Sequence, residues 1–326
     1  MSKEIWVTWE DHRRSRELAR ALGIPMIVQE SSLPKGVSHI HRSIKFLTLI
    51  VAVKPSVVFV QNPSRILAFV ASLLRFLFKY KLVVDRHTNF RLGKKNGLNP
   101  VNYFNDFVGN YSLRKADLTI VTNSYLKKIV EEREGKAFVL EDLLPTFDAL
   151  SPQQQVLLGR INVVFICTYA NDEPYREVIK AASLLPKDVH IYITGKIPDK
   201  FETKNLPANI TLTGFLSESK YSNLLYSVEL IIDFTTLEWC LVCGGYEAAS
   251  LGKPLLTSKT VALESLFGQA AAYTTHSSVD IADSIRHALN ELTAMEEKMI
   301  KFRSIFRKKS EKKLQLLRDS IKKMIS

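Results

Sequence analysis

Cysteine is scarce in this chain: Cys167, Cys240 and Cys243 are the only three among 326 residues. Three thiols cannot build a disulfide framework, which excludes a disulfide-stapled secreted scaffold and makes a reducing compartment the default. Long apolar runs are missing too. Residues 1–12 show no apolar signal-peptide core. The run over 46–53 is too short to span a bilayer, and the next is cut by Arg75. The expectation is a cytoplasmic protein, soluble or held peripherally at the cytoplasmic face of a membrane. Acid is nearly absent from residues 298–326, where 11 Lys/Arg face only Glu311 and Asp319, in a chain of formal net charge +12. A smaller basic stretch lies around residues 65–95. Such charge suits nucleic acid, anionic lipid or phosphorylated substrates. No RNP-like strand or helix-turn-helix pattern accompanies it, so nucleic acid is not an expected partner.

What is present is a regular alternation of short apolar runs with helical patterns, in a chain that is 46% hydrophobic. Strands are expected over 5–9, 26–29, 57–61, 82–86, 118–123 and 137–141, then over 162–168, 190–195, 210–214, 230–234, 254–258 and 271–275. Helices are expected between them, among others over 13–22, 65–79, 174–185, 218–227 and 280–292. Near-continuous apolar strands alternating with helices point to parallel sheets covered on both faces. Residues 144–159, with prolines, serine and three consecutive glutamines, read as a linker. The expected organisation is an α/β protein of two Rossmann-like, doubly wound domains facing a central cleft: 1–150 on the acceptor side, 151–297 for the donor, and 298–326 as a basic helix or tail. Doubly wound sheets place their sites at the carboxyl ends of the strands.

The most specific pattern lies in the second half: Glu238, Gly244-Gly245, Glu247-Ala248, Gly252 and Pro254, leading into an apolar strand. A helix starting at the glycines directs free N–H groups and a partial positive charge outward, which favours a diphosphate. Glu247, about one turn in, either accepts hydrogen bonds from vicinal hydroxyls or complements the helix dipole. With the segments that precede it, this pattern resembles the GT-B fold glycosyltransferases, in particular the family-4-like (group 1) members. The resemblance covers most of the chain, is most specific over 191–267 and is weak in the first hundred residues. It implies a retaining, metal-independent transfer from a nucleotide-diphosphate sugar, with no cofactor beyond that substrate. It places the nucleotide ribose at Glu247, the diphosphate at Gly244, Gly245 and Tyr246, and the base at Gly214, Phe215 and Leu216.

Two departures from the family pattern stand out. Its two glutamates are separated by seven residues, whereas eight lie between Glu238 and Glu247, so Glu238 is either a catalytic acid near the transferred sugar or a solvated loop residue. The family's basic pair after the first strand of this domain is half missing: Arg176 matches the second member, and Lys196 is the substitute for the first or else a surface lysine. Cys240 and Cys243 form a C-x-x-C without a second pair, so a structural zinc is not expected, and the thiols are read as small apolar groups.

In the first half, His87 follows the fourth strand, where the family shows a histidine near the transferred sugar; it is the best catalytic candidate of this domain, or a structural histidine. His12, Arg13 and Arg14 follow the first strand. They suit an acceptor bearing phosphate, or form a solvated helix start capped by Asp11. Residues 65–81 form a crossover helix whose extra aromatics suit either the core or an anionic membrane face. Met299, Phe302, Ile305 and Phe306 repeat that theme among the basic residues of 298–326, which form a helix returning over the N-terminal domain or a loose tether. The expected function is a glycosyltransferase acting on a lipid-linked or polysaccharide acceptor; a non-catalytic binding protein on the same fold is the alternative.

Overall fold

Parallel strands form here because branched and aromatic residues occur in runs too apolar for either face to meet water. The computed structural model describes residues 3–61, 65–87, 100–147, 154–201 and 204–325. Its two units are Met1–Leu143 with Lys309–Ser326, and Leu144–Lys308.

In the first unit the order is β1 (Glu4–Thr8), α1 (Arg13–Ala21), β2 (Met26–Val28), α2 (Lys35–Val53), β3 (Val57–Gln61), α3 (Arg65–Phe78), β4 (Lys81–Asp85), α4 (Pro100–Lys115), β5 (Leu118–Val121), α5 (Ser124–Glu132) and β6 (Ala137–Val139). The strands pair in parallel in the order β2-β1-β3-β4-β5-β6. Side chains alternate between the two faces with period two. Val58, Val60, Leu82 and Val84 meet Phe46 and Ile50 of α2 and Leu67 and Ala71 of α3. On the opposite face Trp6, Phe59, Val83 and Ile120 meet Leu18 and Leu22 of α1, and Trp6 stacks on Phe59 at 5.2 Å. Helix α2 stops at Lys54, whose φ of 49° is left-handed and whose N–H bonds to the Ile50 carbonyl, with Pro55 barring continuation.

The second unit runs β7 (Ile161–Phe165), α6 (Tyr175–Ala182), β8 (Val189–Thr194), β9 (Ile210–Gly214), α7 (Glu218–Ser227), β10 (Leu230–Asp233), α8 (Cys243–Leu251), β11 (Leu255–Ser258), α9 (Val261–Phe267), β12 (Ala272–Thr274), α10 (Ser278–Asn290) and α11 (Leu292–Ile325). Its sheet is parallel in the order β12-β11-β10-β7-β8-β9. Phe165, Ile193 and Ile232 meet α6 and α10 on one face. Val164, Ile231 and Leu255 meet α7, α8 and α9 on the other.

All twelve expected strands are present, with ends displaced by at most three residues, the largest at β7, expected to run to 168 and ending at Phe165. The expected break at 297/298 is not: it falls inside the unbroken helix α11. Of the linker expected over 144–159, residues 148–153 lie outside the described residues. Nor are Met299, Phe302 and Phe306 held out for a membrane. Met299 is fully buried, Phe302 stacks on Phe306 at 5.4 Å, and Phe306 meets Tyr246 at 6.0 Å; Ile305 alone of the four is exposed. Further along, Leu317 and Ile321 complete the first unit's core beside Trp6, and Lys313 Nζ donates to both oxygens of Glu141, at 2.7 and 2.6 Å.

Since both leucine and isoleucine are fully buried, Leu317→Ala and Ile321→Ala should each lower the unfolding free energy by about 2–5 kcal/mol. The check is a shift of the urea midpoint at unchanged slope; a loosely tethered tail would give no shift.

Candidate active site

In the second unit the chain leaves β7, β8 and β9 at one edge of the sheet and forms a cavity of about 450 Å³ there. Ile166, Cys167 and Thr168 come from the turn after β7, Thr194, Gly195 and Lys196 from the end of β8, Phe215 and Leu216 from the turn after β9, and Glu218 and Tyr221 from α7. Gly195 is required: its φ is +98°, and a Cβ there would sit 2.0 Å from the Cys167 carbonyl oxygen. Lys196 is exposed at the rim, and the Phe215 ring is 85% exposed. Gly214 closes β9 with φ +66°.

The amides around this edge are taken by the chain's own carboxylates. Glu173 accepts from the Thr168 N–H at 2.8 Å, the Thr168 hydroxyl at 2.9 Å and the Ala170 N–H at 3.0 Å. Burial, then Glu173, pushes the Cys167 thiol far up, which keeps it protonated and unreactive. Asp233, the last residue of β10, accepts the Gly244 N–H at 2.7 Å. Burial pushes its carboxyl well above the ordinary range, and Glu247, Glu173 and Asp172 add to this against the pull of the Gly244 amide. A Cβ on Gly244 would meet Ile166 at 2.6 Å and Asp233 at 2.7 Å, and one on Gly245 would meet Phe267 at 2.6 Å. These glycines let α8 sit against β10 and α9. Glu247 is 4% exposed, and Tyr221 donates its hydroxyl to it at 2.6 Å. Burial, then Glu247, raises the Tyr221 hydroxyl well above its ordinary value, so it stays a donor.

In the first unit, Arg14, Asp85, His87 and His12 meet at the ends of β1 and β4. Arg14 is fully engaged: its Nε donates to Asp85 at 3.0 Å, its Nη2 donates to Asp85 at 2.9 Å and to the Leu140 carbonyl at 3.0 Å, and its Nη1 pairs with Asp142. Burial alone would raise the Asp85 carboxyl; Arg14 and His87 overcome it and hold the group far below the carboxylate range. His87 Nδ1 lies 3.5 Å from Asp85, an electrostatic contact rather than a strong hydrogen bond. The His87 and His12 rings are 5.0 Å apart. His12 caps α1, its Nδ1 accepting the Arg14 N–H at 3.3 Å. Burial, then His87, lowers its pKa, and the acceptor role of Nδ1 fits the neutral ring.

No known family profile matches the sequence, and no curated protein matches it. Solved structures do. Anabaena HepE in complex with UDP aligns with a TM-score of 0.73 at 13% identity, covering 98% of this chain and all of that one. The sucrose-phosphate synthase of Thermosynechococcus elongatus aligns at 0.72 and 12%, over 99% and 97% of the two chains. A putative UDP-N-acetylglucosamine 2-epimerase from Listeria monocytogenes aligns at 0.63 and 14%, over 92% and 91%. The chain has the GT-B fold.

Against the expectations for a GT-B protein, the residues divide. Lys196, Phe215 and Leu216 come together at the cavity, and His12 and His87 at the ring pair; Arg13 stands half-buried beside them at the start of α1. Arg14 is corrected: buried in its ion pairs, it offers nothing to an acceptor. The expected cap Asp11 instead pairs with Arg16 at 2.6 Å. Arg176 is corrected as a partner of Lys196; it lines a separate cavity with Lys180, Lys200 and Lys204. Tyr246 is corrected to a core residue, 1% exposed and 6.2 Å from Phe267. Glu238 accepts the Val261 N–H at the start of α9, so helix capping accounts for it. Gly244 offers its amide to Asp233 rather than to a phosphate. Cys243 is exposed rather than buried. Asp233, Glu173, Asp85 and Tyr221 were missed as site residues; the two aspartates carried a signal, since each ends a fully apolar strand run.

Removing one partner of the buried Arg14–Asp85 pair strands a charge, so Arg14→Met should destabilise the protein by about 3–5 kcal/mol. The depressed Asp85 pKa means that this stabilisation is fully present above the unfolded carboxyl value, near about 4, and is lost as pH falls below it toward the lower folded value. Urea titrations across acid pH should therefore show an acid limb that is shallower in the variant.

Proposed function

We propose that the protein is a glycosyltransferase that binds a nucleotide-diphosphate sugar in the cavity of its second unit and transfers the sugar to a lipid-linked or polysaccharide acceptor. The observation that carries this reading is the cavity itself: a cation, two threonines, an exposed aromatic ring and a tyrosine at the carboxyl ends of three adjacent parallel strands, where doubly wound sheets take their ligands, with Glu247 buried behind the tyrosine hydroxyl that donates to it. The neighbours support it, since HepE is described in complex with UDP and with UDP-glucose. In this reading Lys196 counters the leaving diphosphate, the backbone of Gly214 and Leu216 with the Phe215 ring receives the base, and Glu247 takes ribose hydroxyls by exchange with the Tyr221 hydroxyl. His87 and His12 are the first unit's candidates for acting on the sugar and the acceptor. Retention of configuration, independence of metal and contact with the cytoplasmic face of a membrane belong to the same proposal.

A second reading, a binding protein without transferase chemistry, is favoured by one observation: Glu173, Asp233 and Tyr221 already occupy the groups that would meet phosphates and ribose. The fold is also similar to that of the putative UDP-N-acetylglucosamine 2-epimerase from Listeria monocytogenes.

Calorimetry with a panel of nucleotide sugars, followed by product analysis with membrane extract, separates these. Binding with transfer is expected; binding with neither transfer nor epimerisation selects the second reading, and epimerised donor rejects both. Lys196→Ala and Glu247→Gln should each weaken donor affinity about tenfold or more, as loss of a charged hydrogen-bond partner does.

A further inference from the structure

Helix α2 has two apolar faces. Phe46 and Ile50 are fully buried against the sheet. Val37, Ile40, Ile44, Leu47 and Val51, at helical spacing on the other side, are exposed, Ile40 by 65%. Its neighbour α3 repeats this: Leu67 and Ala71 are buried, whereas Leu73, Phe76 and Leu77 are exposed, Leu77 by 71%. An apolar cavity of about 470 Å³ opens between the two helices, lined by Ile40, Ile44 and Leu47 of α2 and Ile66, Val70 and Leu74 of α3. On the other flank of α3, Phe69 meets Tyr111 of α4 at 5.4 Å and Phe107 at 6.3 Å, and α4 exposes Tyr103, Phe104 and Phe107. So contiguous an exposed apolar surface marks an interaction site.

Its charge is one-sided. Residues 31–84 contain Lys35, Arg42, Lys45, Lys54, Arg65, Arg75, Lys79 and Lys81 and not one Asp or Glu. Helix α4 adds Arg114 and Lys115 against the single acid Asp106. Arg75, which also pairs with Asp117 at 2.7 Å, and Lys115 lie over the Phe76 ring, at 5.6 and 5.7 Å, so basic and aromatic side chains are interleaved at its edge. Among the described residues no helix is long and apolar enough to cross a membrane. Apolar side chains rimmed by cations, on helices that cannot span, are the arrangement of a surface that lies in the headgroup layer.

We infer that the α2–α3–α4 face of the first unit docks on an anionic membrane leaflet. A second copy is the poorer occupant, because a two-fold contact would set the same cations against themselves. The basic end of α11 is the poorer docking element, because Met299, Phe302, Leu317 and Ile321 are spent in the cores of the two units and its exposed apolar residues, Ile300, Ile305, Leu316 and Ile325, are widely spaced along the helix and build no patch. The inference agrees with the lipid-linked acceptor of the proposed transfer and does not depend on it.

The test is flotation of the full chain with vesicles of phosphatidylcholine alone or mixed with phosphatidylglycerol. Binding to the anionic vesicles, weakened by salt, is expected. The triple variant Ile44→Asp, Leu77→Asp, Phe104→Glu alters exposed positions only and should bind about tenfold less or worse, with nucleotide-sugar binding and urea midpoint unchanged. Failure of the full chain to float with anionic vesicles, equal flotation of the variant, or a dimer in light scattering that the variant abolishes would each overturn the inference. Loss of donor binding in Lys196→Ala with flotation intact would bear on the transferase reading alone.

Discussion

The contact between the Asp233 carboxylate and the Gly244 amide, 2.7 Å apart and fully enclosed, sets the shape of the second unit's site. A parallel sheet delivers its strand ends and the starts of its following helices to one edge, so acids ending a strand and amides opening a helix necessarily meet there. Asp233 ends β10, and the helix that follows begins so close above it that no Cβ fits at Gly244. This draws Glu247 into the same buried region, where a third acid, Glu173, lies within electrostatic reach. Three acids in a small volume are tolerable because each has donors, Gly244 for Asp233, the Thr168 and Ala170 amides for Glu173 and the Tyr221 hydroxyl for Glu247, and because burial and the neighbouring acids push the Asp233 carboxyl toward its protonated form.

An anionic ligand at this edge meets acids whose nearby donors are already engaged, so a diphosphate there requires a cation that the internal acids do not neutralise. Lys196 stands in that position at the cavity rim. Arg176 does not, because it lies across a different cavity with Lys180 and Lys200. Of the two basic residues singled out in the sequence, the cavity after β7–β9 is lined by Lys196, at the end of β8, and not by Arg176 of α6.

How far the sequence could be read depended on the range of the interactions. Every strand was legible, because a buried parallel strand needs a short apolar run bounded by polar or turn residues, and the apolar runs of α2 and α3 are set apart by their greater length. The motif 244–254 was legible as a helix start and stop: Gly252 is the left-handed residue that ends α8, and Lys253 bonds back to the Ala248 carbonyl. The roles of its residues were not, because they depend on partners far along the chain. Glu238 meets Val261, Tyr246 meets Phe306 and Arg14 meets Asp85, 71 residues on. An exposed-looking Arg13-Arg14 pair carries no mark that only its second member turns inward; burial of positions 14, 15, 18 and 19 on one face of α1 decides it.

The same reasoning separates the two basic regions that composition alone made look alike. A helix can present apolar residues to a membrane only if its own fold does not bury them. In α11 positions 299, 302, 317 and 321 are claimed by the cores of the two units and Phe306 packs on Tyr246 and Phe302, which leaves its lysines and a few widely spaced apolar residues, Ile300, Ile305, Leu316 and Ile325, as the solvated side of a structural helix. In α2 and α3 the sheet claims one stripe and leaves a second, equally apolar stripe uncovered. Such a surplus is unfavourable in water and is not required by the sheet, which is already covered by Phe46, Ile50, Leu67 and Ala71. Its retention over a stretch with eight cations and no acid is what a fold alone does not explain and what a negatively charged, half-apolar surface does.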